Sequence, residues 1–214
     1  MEKNDNLACD ANELEKSPHP ENIASSQQPN KPMPLRLLAI SGSLRTSSAN
    51  TAVLRAAIAL APKDIVVTLY GGLGELPHFN PDLDGDAALP PVADFRRRLA
   101  EADGILICCP EYAHGVPGVM KNALDWIVGS GEFMNKPVAL INARPAPWAQ
   151  ASLTETLTVM MAKLVSEASI TLPLTTNRMD EAAIAANPEI ALMLRSSLVV
   201  FARAIRGFQA GVAE

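Results

Sequence analysis

Short apolar runs recur along this chain without the polar alternation of a half-buried strand. Leu35-Arg36-Leu37-Leu38-Ala39-Ile40 is the first, and it closes on small polar residues. Ile65 to Leu69 has the same character, followed by Gly104-Ile105-Leu106-Ile107-Cys108-Cys109 and Pro137-Val138-Ala139-Leu140-Ile141. Ser169 to Leu174 is a weaker fifth. Continuous runs of this length are expected for strands covered on both faces, the situation of a parallel sheet.

Helical patterns separate the runs. Thr51 to Leu60 is Ala-rich and free of breakers, and Val92 to Ala102 follows Pro90-Pro91. Val116 to Val128 carries Pro117 in its first turn, where a missing N–H costs nothing. Leu153, Leu157, Met160, Met161, Leu164 and Val165 fall at helical spacing on one face. Asn187-Pro188-Glu189 opens the last helix as N-cap, N1 and N2. Strand–helix alternation through residues 35–208 predicts right-handed βαβ units, and so a three-layer α/β sandwich with helices on both faces of a parallel sheet. Five strands favour the flavodoxin-like order 2-1-3-4-5.

Residues 1–34 differ. Pro18, Pro20, Pro29, Pro32 and Pro34, the run Ser25-Ser26-Gln27-Gln28 and few large apolar residues predict a disordered tail, with a strap on a partner subunit as the other reading. The expected domain is 35–208, and 209–214 a C-terminal tail. A net charge of 18 − 23 = −5 argues against a general nucleic-acid grip. No apolar stretch approaches the roughly 20 residues that span a bilayer, and the N-terminus does not read as a signal peptide. Three cysteines make no disulfide framework, so a reducing cytoplasm is the expected compartment. The scattered His and Cys residues form no metal constellation, and Cys108-Cys109 reads as packing.

In an open α/β sheet, ligands bind beyond the carboxyl ends of strands at the point where strand order reverses. Here that point lies between the first and third strands. After the first comes Ser41-Gly42-Ser43-Leu44-Arg45-Thr46-Ser47-Ser48-Ala49-Asn50. Gly42 permits a sharp turn. The hydroxyls of Ser43, Thr46, Ser47 and Ser48, the Arg45 charge and a helix starting near Asn50 would together suit a phosphate monoester. The segment is neither a Walker A loop nor G-x-G-x-x-G. The plainer reading is a Ser-rich turn capped by Asn50. After the third strand comes Pro110-Glu111-Tyr112-Ala113-His114-Gly115-Val116-Pro117-Gly118, where a flat heteroaromatic ring would find Tyr112 and backbone amides. Glu111 is read as a partner for backbone N–H groups, with proton transfer as the other reading, and His114 as a surface or site residue. Trp126 suits either a core or a subunit interface.

Gly42-Ser43-Leu44-Arg45-x-x-Ser48-x-Asn50 and Pro110-Glu111-Tyr112-x-x-x-x-Pro117-Gly118-x-x-Lys121-Asn122-Ala123-Leu124-Asp125-Trp126 together resemble the NADPH-dependent FMN reductase family of flavodoxin-like proteins, with its chromate and quinone reductase and azoreductase relatives. The resemblance covers roughly Leu35 to Arg206. It implies non-covalent FMN, NADPH or NADH as co-substrate, a small-molecule electron acceptor and a homodimer or homotetramer. Carried over, Ser43, Arg45, Ser48 and Asn50 would hold the FMN phosphate. Pro110, Glu111 and Tyr112 would lie along the ribityl chain and ring, with Ala113, His114 and Gly115 finishing the loop. Ala113 stands where many relatives have Asn. The loop after the fourth run, Asn142 to Trp148, would border the pyrimidine end of the flavin; Arg144 would stabilise negative charge on the reduced flavin or be an ordinary surface arginine, and Trp148 would shape the substrate pocket.

The expected activity is ping-pong transfer of hydride from NAD(P)H to FMN and then to a quinone, flavin, azo compound or metal ion. No catalytic side chain is required, because the flavin carries the chemistry. The alternatives are a flavodoxin-like electron carrier and a sugar-phosphate or nucleotide binder on the same anion loop. Arg96-Arg97-Arg98 reads as a solvated helix face.

Overall fold

The computed structural model describes residues 33–85, 88–176 and 178–211. Most of the expected N-terminal tail, with Cys9, lies outside the described residues, as do residues 212–214 of the expected C-terminal one. The apolar runs form β1 (Leu35–Ser41), β2 (Ile65–Tyr70), β3 (Gly104–Cys108) and β4 (Pro137–Asn142). With β5 (Lys163–Leu164) they make a parallel sheet in the order β2-β1-β3-β4-β5. This is the expected order.

Two cores explain why the runs are continuous. Leu37, Ala39, Leu106, Cys108 and Ile141 face α1 (Ala49–Leu60) and α6 (Pro188–Gln209). Their neighbours in sequence, Leu38, Ile40, Ile105, Ile107 and Leu140, face α2 (Pro90–Glu101) and α3 (Gly118–Val128). A strand alternates faces with a period of two, so apolar cover on both sides demands apolar residues at every position. Ala52, Ala56 and Ala57 bring α1 close to the sheet. Gly104 does the same for α6: a Cβ there would come within 2.6 Å of Ile205 Cδ1.

The fifth strand differs from expectation. It is split into β5 against Pro137–Val138 and β6 (Ile170–Thr171) against Ile141–Asn142, with a 3₁₀ turn at Ser166–Ala168 between them. Ser169 bridges the gap. Its Oγ accepts the Leu140 N–H at 3.0 Å and donates to the Val165 carbonyl at 3.1 Å, replacing a ladder bond where the backbone leaves the sheet. The expected helical face from Leu153 to Val165 is also shorter. α4 (Pro147–Val159) stops before Met161, whose φ of 60° reverses the chain, and Leu164 enters β5 instead. α5 (Glu181–Ala186), capped by Asp180, was not visible as a separate pattern. No helix of the described residues is long and apolar enough to cross a membrane.

Candidate functional site

The loops after β1, β3 and β4 enclose a cavity of about 410 Å³. That volume lies within the range of ~300–1,000 Å³ typical of small-molecule sites. Gly42 brings the first two loops together. Its N–H donates to the Cys108 carbonyl at 2.9 Å, and a Cβ at this position would lie 2.5 Å from Cys109 Sγ. No side chain fits there, so the β1 and β3 bends share one wall.

One end of the cavity is built to hold an anion. Ser48 is the N-cap of α1, its Oγ accepting the Thr51 N–H at 3.4 Å. Capping therefore falls to Ser48 rather than Asn50. The hydroxyl proton of Ser48 stays available, and the side chain is buried at the cavity wall. Ser43 is buried beside it, its Oγ accepting the Arg45 N–H at 3.4 Å. The Ala49 and Asn50 amides lie in the first turn of α1, where backbone N–H groups lack carbonyl partners and favour negative charge. Asn50 Oδ1 accepts the buried Cys108 thiol at 3.3 Å, which leaves its amide protons for the cavity. Arg45 completes this end. Thr46 and Ser47 do not line it; they border a second cavity behind the loop.

The other end is flatter. Pro110, Glu111 and Tyr112 come from the β3 loop, and Ala143, Arg144, Pro145 and Ala146 from the β4 loop. Glu111 fastens the two loops, since its Oε2 accepts the Trp148 and Ala149 N–H groups at 2.8 and 2.9 Å. These belong to the first turn of α4, whose own N-cap residue, Ala146, has no capping side chain. Beyond Glu111 the chain makes a two-residue hairpin. Tyr112 and Gly115 exchange backbone hydrogen bonds of 3.1 and 3.0 Å, and Ala113 and His114 both take positive φ, 49° and 58°. Paired positive φ values are the mark of a type I′ turn. The turn leaves Tyr112 half exposed and lays His114 against Trp148, with ring centroids 5.3 Å apart and planes at 31°.

Of the residues singled out from sequence, Ser43, Arg45, Ser48, Asn50, Pro110, Glu111, Tyr112 and Arg144 meet at this cavity. Ala113, His114, Gly115 and Trp148 stand outside its lining. Ala143, Pro145 and Ala146 line it as part of the loop expected to border the site, while Ala49 and Cys109 were not singled out for it, because small apolar residues carry no chemical signal in sequence. Burial pushes the Cys109 thiol up to about 12 and the Cys108 thiol further still, so both stay protonated near neutrality.

Trp126 belongs to the core. Its indole N–H donates to the Pro77 carbonyl at 2.8 Å, and Phe79 meets its ring edge-on. Asn122 donates to the same carbonyl at 2.9 Å and accepts the Phe79 N–H at 2.7 Å. The Asn122 and Trp126 part of the second motif thus pins the loop after β2. Arg96 is a correction to the solvated helix face. It is largely covered and donates to Asp84 Oδ1 at 2.7 Å and to the Trp126 carbonyl, while Arg97 and Arg98 pair with exposed carboxylates.

Over 111 residues the chain is 38% identical to an NAD(P)H-dependent FMN reductase of Pseudomonas aeruginosa, covering 51% of this chain and 60% of that one. It is 41% identical over 113 residues to a 2-hydroxy-1,4-benzoquinone reductase of Burkholderia sp, with coverage of 51% and 60%. The matched part thus spans about 60% of the length of these curated relatives. Among solved structures, FerB of Paracoccus denitrificans, a flavoenzyme NAD(P)H:(acceptor) oxidoreductase, superposes with a TM-score of 0.67 at 29% identity, over 80% of this chain and 97% of that one. The family model for NADPH-dependent FMN reductase matches residues 35–176. The chain therefore belongs to the NADPH-dependent FMN reductase family.

Proposed function

We propose that this protein is an FMN-dependent NAD(P)H oxidoreductase that reduces a small quinone-type acceptor. The observation that carries the reading is the two-ended cavity: hydroxyls, Arg45 and the α1 amides at one end, and Tyr112, Arg144 and backbone at the other. The anion end fits the phosphate of FMN, through Ser43, Arg45, Ser48 and Asn50. The flat end fits its ring, which Pro110, Glu111, Tyr112 and Arg144 would hold. FMN, when bound there, would supply hydride and electron transfer between a nicotinamide and the acceptor. The chain's own residues bind and orient. Arg45 and the α1 amides would neutralise the phosphate, Glu111 ties the β3 and β4 loops to each other, and Arg144 would offer positive charge to the ring. Ala113, His114 and Gly115 act by shaping the turn that carries Tyr112.

The domain is residues 35–208, the assembly a homodimer or homotetramer, and the compartment the cytoplasm, in keeping with two buried free thiols. Purified protein is expected to be yellow after FMN loading and to bleach when NADPH or NADH is added without air. Protein that takes up no FMN ends the reading. FMN-loaded protein that stays oxidised in both nucleotides is an electron carrier instead.

A further inference from the structure

Behind the candidate phosphate loop lies a second cavity of about 550 Å³ that shares Arg45 and Ser48 with the first. Arg55 of α1 and Arg178, ahead of α5, line it together with the hydroxyl-bearing Thr46 and Ser47. Arg36, Arg96, Arg97, Arg98 and Arg206 each face a carboxylate within 4 Å. Arg45, Arg55, Arg144 and Arg178 have no such partner among the described residues, and all four border the two cavities, so three guanidinium groups share the second hollow.

An unpaired guanidinium in water is ordinary; three around one hollow leave it net positive even with two carboxylates on the rim, which favours an added anion. A phosphate monoester carries close to two negative charges and matches the planar guanidinium fork. Asp180 and Glu181 stand on the same rim. Asp180 Oδ1 already accepts the Ala183 N–H at 2.8 Å. The carboxylates make the hollow a poor trap for a bare anion and a better one for an anion carried on a group with hydroxyl and amino donors.

We propose that this cavity is a subsite for the 2′-phosphoadenosine arm of NADPH, with Arg55 and Arg178 holding the 2′-phosphate and the Asp180–Glu181 rim accepting from the ribose or adenine. The inference rests on the flavin reading above, because it places the dinucleotide beside the phosphate end of the first cavity. It makes Arg55 and Arg178 the residues that separate NADPH from NADH.

The test uses FMN-saturated full-length protein, so that the first anion site is filled. Calorimetry should show 2′,5′-ADP binding about tenfold or more tighter than 5′-AMP, as expected for charge-assisted contacts to one extra phosphate. The double variant Arg55→Ala/Arg178→Ala should lose that preference while keeping FMN. It should also raise the KM for NADPH relative to that for NADH by a similar factor, and Arg55→Lys should recover part of the difference. FMN-loaded protein that binds the two adenylates equally, or a double variant that keeps the preference, overturns the subsite alone. Protein that takes no FMN overturns the flavin reading and this inference with it.

Discussion

Glu111 joins two loops with one carboxylate. The side chain acts as a helix cap supplied from a distant strand, because Ala146 cannot cap α4 and the first-turn amides favour a negative partner. Arg45 works at the opposite end of the cavity. Replacing it by Ala should weaken FMN binding by about 1.5–3 kcal/mol, the scale of a charged hydrogen bond, as read by fluorescence titration. Unchanged affinity would place the phosphate elsewhere. Ala113 bears a local cost, since a left-handed φ brings its Cβ against the backbone. Asn tolerates that conformation better, so Ala113→Asn should stabilise the fold by roughly 0.5–1 kcal/mol. A lower denaturation midpoint in this variant would contradict the strained turn.

The α3 helix shows how one element can serve architecture through a motif that looks functional. Asn122 and Trp126, one turn apart, both donate to the Pro77 carbonyl, and Asn122 also accepts from Phe79. Arg96 of α2 reaches the Trp126 carbonyl from the other side. The loop after β2, the edge strand beside β1, is thereby tied to α3. Asn122→Ala removes two hydrogen bonds and leaves the Phe79 N–H without its acceptor, while the Pro77 carbonyl keeps the Trp126 indole. It should cost about 1–3 kcal/mol, measurable as a lower urea midpoint with an unchanged slope. A variant as stable as the parent would mean that Trp126 alone holds the loop.

The sheet divides the molecule into two cores, and buried acids that resist ionisation sit in both. Burial pushes Tyr70 up to about 12 from an ordinary 10.0, and Cys109 up to about 12 from 9.0. Cys108, in the other core, is raised as well. Below about pH 8 these groups are protonated whether the chain is folded or not, and their contribution is fully present. Above it the unfolded chain releases protons that the folded one keeps, so stability should fall as pH rises towards 12. Urea midpoints from pH 8 to 11 should decline, and the decline should be shallower in Cys109→Ala. A flat profile would show that these groups are reachable by solvent.

Periodicity and breakers in the sequence suffice for the strands β1 to β4, most helices and the two loops that carry the site, because each of these depends on neighbours a few residues apart; the strand order follows from the rules of βαβ connection rather than from local pattern. The split of the fifth strand, the cap that Glu111 lends to α4, the burial of Arg96 and Trp126, and the meeting of the arginines behind the phosphate loop depend on partners tens of residues away. Local propensity carries no record of such partners. They are settled only when the two faces of the sheet are packed and each buried polar group must find whatever donor or acceptor the packing has brought within reach.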